Sequence, residues 1–556
     1  MGWFVLAILF LLILLPLAAV ILQVLLPGIF FGKLTVGDLS LLFEVFRRPL
    51  WLLSLKNSLL LGIGTTLFAA LLGGALAMVR AKWSFPTARW LDVANWLLII
   101  TPSFILAQGW VMFASSGGIA AEWFGWGWFH SLVFNPLGLI AIMTLSKFPL
   151  AYLTVYAALE WKEKRLHDAA RLNGGSAWAV LRTVDMPLLL PAYFSGALLI
   201  FMDTVGDFGM PASIAAVFRF PTLPYSIYTA LYTSPIRFDM AGVLSFYLVL
   251  LIALAMGLQF YVLRKSRYDF LTARATRYEP QKPKRFAMLL TTGNLFFLAI
   301  VLGIPFGSNL LMSLSDSTTT SGIKGLTLQH YEQLFRNGGP LLESIQHSIG
   351  IASIAALVGV ILGFLVAYVL TYSLFPYRQV IDVISLISFA VPGVVLGIGY
   401  IFIWNQAWLK SVGLLLYGTP WILVLAGIAG AIPITTRIMV GGMAKIPKTL
   451  LHAAQVQGAG GIQRMVSILF PLLRAAFLSS VLAAFGTTVF DLAITSILYP
   501  PNFITLPVSI NKAFENLQFG YASAVTLTGG GLVILIILIV QLIFKENRFH
   551  GGRGME

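Results

Sequence analysis

Of the 556 residues, 58% are hydrophobic and only 10% charged, and cysteine is absent. Soluble chains carry about a quarter charged residues, so this composition excludes a water-soluble globular protein, a disordered chain, collagen and a disulfide scaffold, and points to a polytopic membrane protein. The missing thiols also exclude thiolate zinc sites, iron–sulfur ligation and cysteine nucleophiles, while the net charge of +15 gathers beside apolar runs, which fits a positive-inside topology on anionic lipid rather than nucleic acid.

Apolar runs of the roughly 20 residues needed to cross a bilayer begin near residues 3, 53, 88, 135, 189 and 240. A second set begins near 286, 345, 379, 418, 473 and 522. The expected fold class is therefore all-α, with about 12 transmembrane helices in two tandem six-helix halves. The first half covers 1–263 and the second 286–545. Between them lies a basic linker, 264–285, carrying Arg264, Lys265, Arg267, Arg274, Arg277, Lys282, Lys284 and Arg285, and a tail follows at 546–556. Arg80, Lys82 and Arg89 are expected on the cytoplasmic side with Lys162, Lys164, Arg165, Arg171, Arg182 and the tail, so both termini are expected there. Gly2 to Leu26 lacks a basic start and a small-residue cleavage site, and reads as a retained first helix rather than a secretory signal. Trp123, Trp126 and Trp128 read as an aromatic belt at the headgroup level.

The halves repeat one another. Ser54-Leu55-Lys56-Asn57-Ser58 returns as Ser344-Ile345-Gln346-His347-Ser348, and in the same register Phe85-Pro86 returns as Phe375-Pro376, Asp92 as Asp382 and Pro102 as Pro392. Two parallel bundles with a pathway between them are expected from such a duplication. Gly62, Gly73 and Gly74, with Gly350, Gly359 and Gly363 opposite, are candidates for close helix approach.

The most informative segments fall before the fifth span of each half, at about 160–190 and 444–474. The first reads Asp168-Ala169-Ala170-Arg171-Leu172-Asn173-Gly174, then nine residues, then Val184-Asp185-Met186-Pro187. The second reads His452-Ala453-Ala454-Gln455-Val456-Gln457-Gly458, then nine residues, then Ile468-Leu469-Phe470-Pro471. This spacing predicts a short helix, a glycine at positive φ, a second amphipathic helix and a proline entering the next span. Paired alanines leave a surface without bulk, suited to a partner's groove.

This pattern resembles the EAA loop of binding-protein-dependent ABC importer permeases, and the resemblance covers nearly the whole chain because both halves carry it. It implies that the two loops form coupling helices that dock into two copies of a separate ATPase subunit. Asp168, Ala169, Ala170, Gly174 and Pro187 match in the first copy. Ala453, Ala454, Gly458 and Pro471 match in the second, where His452 replaces the acidic residue. A fused pair of halves is similar to ferric-iron importer permeases, with thiamine and aminoethylphosphonate permeases as near relatives. The stretch Asp207-Phe208-Gly209 followed by Pro221-Thr222-Leu223-Pro224, and Asp491 followed by Ile504-Thr505-Leu506-Pro507, is similar to that group.

Ionisable residues within spans are costly and mark function by default. Lys147 lies in one span, and Asp203 and Asp207 lie in the next. A pairing of Lys147 with Asp203 or Asp207 could line a pathway or lock the helices, and Asp491 aligns with Asp207 as a possible second gate residue. Arg437, near the end of its span, is expected to reach the second coupling loop. Pro149 and Pro433 occupy equivalent mid-span positions and can kink their helices. The six histidines show no helical metal-site spacing, and no catalytic residue or resident cofactor is expected. No G-x-x-x-x-G-K-[ST] phosphate loop occurs, so ATP and Mg²⁺ belong to the partner ATPase. An extracytoplasmic binding protein would meet loops including 28–52, 208–239 and 312–343. The expectation is a permease subunit, not an enzyme, in the bacterial cytoplasmic membrane. An ion-coupled secondary transporter is the rival, although it leaves the duplicated loop unexplained.

Overall fold

The computed structural model describes residues 1–26, 40–160, 170, 172–215, 217–265, 280–283, 286–316, 325–336 and 340–550. Most of the expected linker, and tail residues 551–556, lie outside them. Among the described residues, 10 helices are long and apolar enough to cross a membrane, or up to 12 if each of two bent pairs is one span. The first half contributes α1 (Gly2–Leu25), α2 (Pro49–Lys82), α3 (Ala88–Ile100), α4 (Ser103–Ala114), α5 (Pro136–Glu160), α6 (Met186–Gly206), α7 (Leu223–Tyr232) and α8 (Phe238–Lys265). The second contributes α9 (Ala287–Ser313), α10 (Pro340–Tyr372), α11 (Arg378–Ala390), α12 (Gly393–Trp404), α13 (Pro420–Met443), α14 (Lys448–Val456), α15 (Gly461–Leu472), α16 (Arg474–Val489), α17 (Leu492–Leu498), α18 (Leu506–Glu515) and α19 (Phe519–His550).

The run expected to cross from residue 379 is not a straight helix: α11 and α12 meet at 109°. Pro392 supplies the reason, because its ring excludes the preceding residue from helical geometry and it has no N–H to donate. Val391 accordingly sits at φ −75°, ψ 124°, and in the first half Thr101, before Pro102, sits at φ −74°, ψ 126° between α3 and α4. Beyond the breaks, α4 is buried from Phe104 to Ala114 and α12 from Val394 to Phe402. These prolines thus turn the chain from an outer helix into an interior one. A second bend, of 79°, separates α15 from α16.

Packing divides the chain into two compact units, and their membership differs from the two halves of the sequence by one helix each. One unit holds α2 to α8 with most of α9. The other holds α10 to α19 together with α1. The first helix of each half therefore packs with the other half's helices. Equivalent features make both attachments. Gly109 on α4 leaves no room for a Cβ against the Pro305 carbonyl of α9, and Gly399 on α12 is pressed in the same way against Pro16 of α1. A π-helical turn precedes each proline, at Phe10–Leu14 and Ala299–Gly303. In the second unit the buried Tyr400 hydroxyl donates to the Leu12 carbonyl in that turn at 3.0 Å. In the first, Asn309 donates to the Ile105 carbonyl at 3.4 Å and Asn294 to the Thr87 carbonyl at 2.9 Å.

Within each unit the long α2 or α10 packs on the span carrying the mid-helix proline. Gly73 sits against the Phe148 carbonyl and Gly363 against Thr435, both without space for a side chain, while Gly350 faces open space.

Candidate functional site

The two glycine-turned segments expected to couple to an ATPase share one backbone path where both are described. Asp168 and Ala169 lie outside the described residues. Ala170 is helical, Gly174 takes φ +82°, and the Gly175 N–H donates to the Ala170 carbonyl at 3.0 Å. In the second copy His452, Ala453 and Ala454 lie on α14, Gly458 takes φ +86°, and the Ala459 N–H donates to the Ala454 carbonyl at 2.9 Å. Glycine is needed at both turns because a side chain strains positive φ. Each turn leads into a short helix and a π-turn, Leu181–Asp185 or Met465–Leu469. Pro187 follows the first π-turn at the start of α6, and Pro471 follows the second in the last turn of α15.

The second segment is held from beneath. Leu451 and Leu469 are buried with Val360, Phe364, Ala367, Met439, Met443 and Leu473. Tyr372 donates its hydroxyl to the Met443 carbonyl at 2.9 Å, fixing the end of α13 where the segment begins. Across the turn, Arg464 donates to the Gln455 amide oxygen at 3.0 Å. His452 is exposed. The apolar side chains Leu172, Trp178, Val456 and Ile462 are each at least 70% exposed at these segments. Exposed apolar residues gathered on these segments form a surface that a partner can cover.

Lys147, Asp203 and Asp207 do come together. The Lys147 Nζ lies 2.5 Å from Asp203 Oδ2 and 2.8 Å from Asp207 Oδ2. Asp207 is almost wholly buried. Its other oxygen accepts from Ser103 Oγ at 2.7 Å and from the Met210 N–H at 3.2 Å. Asp203 keeps 49% of its side-chain surface open. Asp491 lies in the other unit, where its Oδ1 accepts from the Ile494 N–H at 3.0 Å. The aligned aspartates thus share a backbone-capping role, whereas the lysine pairing belongs to the first half. The positions matching Lys147 and Asp203 in the register of Pro149 and Pro433 are Ala431 and Thr487.

Two repeated sequence signals meet in space as a clasp. Asn57 donates to the Pro221 carbonyl at 2.9 Å, and the Leu223 N–H donates to Ser58 Oγ at 2.8 Å. In the second unit the Leu506 N–H donates to Ser348 Oγ at 2.7 Å, and His347 Nδ1 lies 3.0 Å from the Ile504 carbonyl. His347 also stacks on Phe503, with ring centroids 3.7 Å apart. The repeated pair in the first half of α2 or α10 therefore holds the Thr-Leu-Pro entry to α7 or α18. Ser58→Ala and Ser348→Ala each leave a buried N–H unpaired. Each is expected to cost about 1–3 kcal/mol, read as a lower thermal midpoint in detergent.

Arg437 does not reach the coupling segment. Its guanidinium donates to Asp382 Oδ1 at 2.8 Å and to Ser385 Oγ at 3.2 Å on α11. A carboxylate one turn into the neighbouring helix captures it first. Asp92, the register equivalent, is held by Arg80 at 2.8 Å and by the Tyr152 hydroxyl at 2.7 Å.

The profile of binding-protein-dependent transport system inner membrane components matches residues 62–268 and 359–546. The ferric transport system permease protein FbpB of Actinobacillus pleuropneumoniae is 23% identical over 504 residues, 88% of this chain and 70% of its own length. The protein named Probable ABC transporter permease protein y4fN of Sinorhizobium fredii is 23% identical over 527 residues, 92% and 89% of the two chains. The molybdenum transport system permease protein ModB of Escherichia coli is 31% identical over 202 residues, 34% of this chain and 83% of its own length. With both matched segments carrying a glycine-turned loop between the same kinds of spans, the chain belongs to the family of binding-protein-dependent transport system inner membrane components.

Proposed function

We propose that this multi-pass membrane protein is the permease of an ATP-driven importer that passes ferric iron from an extracytoplasmic binding protein to the cytoplasm. The observation that carries the transport class is the pair of coupling segments with one backbone geometry and uncovered apolar tips. The choice of cargo is supported by relatives named for ferric transport that align with most of the chain.

In this reading both termini and both coupling segments face the cytoplasm. Two copies of an ATPase dock there, at Asp168, Ala169, Ala170, Gly174 and Pro187 and at His452, Ala453, Ala454, Gly458 and Pro471. ATP binding draws the ATPase pair together and biases one of two packings of the spans, and hydrolysis releases the other. ATP and Mg²⁺ stay on the partner.

Lys147, Asp203 and Asp207 lie on the pathway in this reading. A Cβ at Gly62 would touch Phe201 and Val205, which places Asp203 near the level of the middle of the 34-residue α2. A half-open carboxylate at that depth costs several kcal/mol against hydrocarbon, about 2.5–3.5 on insertion scales, so its open side faces water. Asp491 contributes the matching cap in the second half.

Uptake of radiolabelled ferric iron into vesicles holding this chain, its ATPase and its binding protein tests the reading, with thiamine and 2-aminoethylphosphonate as competitors. ATP-dependent iron accumulation is expected. Accumulation of a competitor in its place overturns the cargo, and uptake independent of ATP overturns the transport class.

A further inference from the structure

We propose that Asp92 and Asp382 are positioning residues that transmit movement of the coupling segments to the helix pairs broken at Pro102 and Pro392. The proposal rests on the importer reading and adds to it the route of the motion within each half.

Three observations converge on these carboxylates. Each is the fifth residue of the helix that precedes a proline break, α3 before Pro102 and α11 before Pro392. Each bonds to the span that runs into a coupling segment: Asp92 accepts from Tyr152 on α5, and Asp382 accepts from Arg437 on α13. Each bonding partner lies about one turn beyond a mid-helix proline, Tyr152 after Pro149 and Arg437 after Pro433, on the side nearer the coupling segment. A proline removes one rung of the helix ladder and lets the turns on either side pivot. The tie is therefore made by the part of the span that moves with the coupling segment.

The chemistry of the tie differs between halves while its connection does not. In the first half a tyrosine from the span makes the link and Arg80 of α2 supplies the charge, through two guanidinium nitrogens. In the second, Arg437 does both. The register positions of Arg80 and Arg437 in the opposite half are Leu370 and Leu153. The aspartate stays in place while its cation arrives on a different helix, so the feature common to both halves is the joining of a proline-broken helix pair to the span feeding its coupling segment. Stability alone is a weak account of the Arg437–Asp382 pair, since both side chains are more than 40% exposed and such pairs contribute little.

The test uses the whole importer in vesicles with its binding protein. Asp382→Asn is expected to retain the ATPase through purification and to hydrolyse ATP, while iron imported per ATP falls about tenfold. The exchange Asp382→Arg with Arg437→Asp restores the pair in reverse and is expected to recover most of that ratio, whereas Asp382→Arg alone does not. An unchanged ratio in Asp382→Asn, or no recovery in an exchanged variant that assembles, overturns the proposal. Failure of the wild-type complex to import with ATP instead overturns the importer reading, so the two failures are distinct.

Discussion

A Gly174→Val/Gly458→Val variant is expected to insert fully yet recover little ATPase subunit on purification. Both glycines sit at positive φ, +82° and +86°, and a Cβ at either would meet nothing within 4 Å. The penalty is thus one of backbone conformation and not of collision. A β-branched residue in that region costs about 1–3 kcal/mol, roughly 5- to 150-fold in the population of the correct turn. The two turns act in one assembly, so the losses multiply. Asparagine tolerates this region, and Gly174→Asn/Gly458→Asn is therefore expected to keep most of the bound ATPase. Full retention by the valine variant would refute docking at these turns. Equal loss by both variants would make the side chain itself, rather than the turn, the cause.

Lys147→Met is expected to lower the thermal midpoint and to suppress transport. The lysine is the charge partner of the buried Asp207, and removing one member of a buried pair costs about 3–5 kcal/mol. Asp207→Asn added to Lys147→Met removes the stranded charge while retaining an oxygen for the Ser103 and Met210 donors. The double variant should regain stability. If the cluster lines the pathway, transport stays low in the stable double variant. Transport returning together with stability would leave only a packing role for the cluster.

The apolar runs, the duplication and the glycine-turned segments were legible because each is written in local sequence. A run of about 20 apolar residues needs no partner to be recognised, and a glycine followed by nine residues and a repeated aliphatic-x-apolar-Pro step declares its turn. Lys147 and its aspartates were legible for a related reason: in a span, a charge must find an opposite charge. The breaks at Pro102 and Pro392 were visible as prolines but not as corners, since α3 and α4 read together as one apolar run. Gly109 and Gly399 were missed entirely. In a bilayer, a face turned to lipid and a face turned to a helix are equally apolar, so the pattern does not say which glycine is crowded. Arg437 was misassigned because sequence distance placed it near the second coupling segment, whereas α11 brings Asp382 closer. The repeated Ser-containing pair was noticed, but its partner lies more than 150 residues away in both units.

The placement of α1 with the later helices has a consequence for biosynthesis. When the ribosome has delivered the first half, the partners that hold Gly2–Leu25 in its own compact unit, Gly399 and Tyr400 among them, have yet to be made. The nascent helix must wait in lipid until the chain has grown from residue 263 to beyond residue 400. Severing the gene within the connecting segment would yield two polypeptides that each lack a helix of their own compact unit. They would mature only when made together, and each made alone would be a target for membrane proteases.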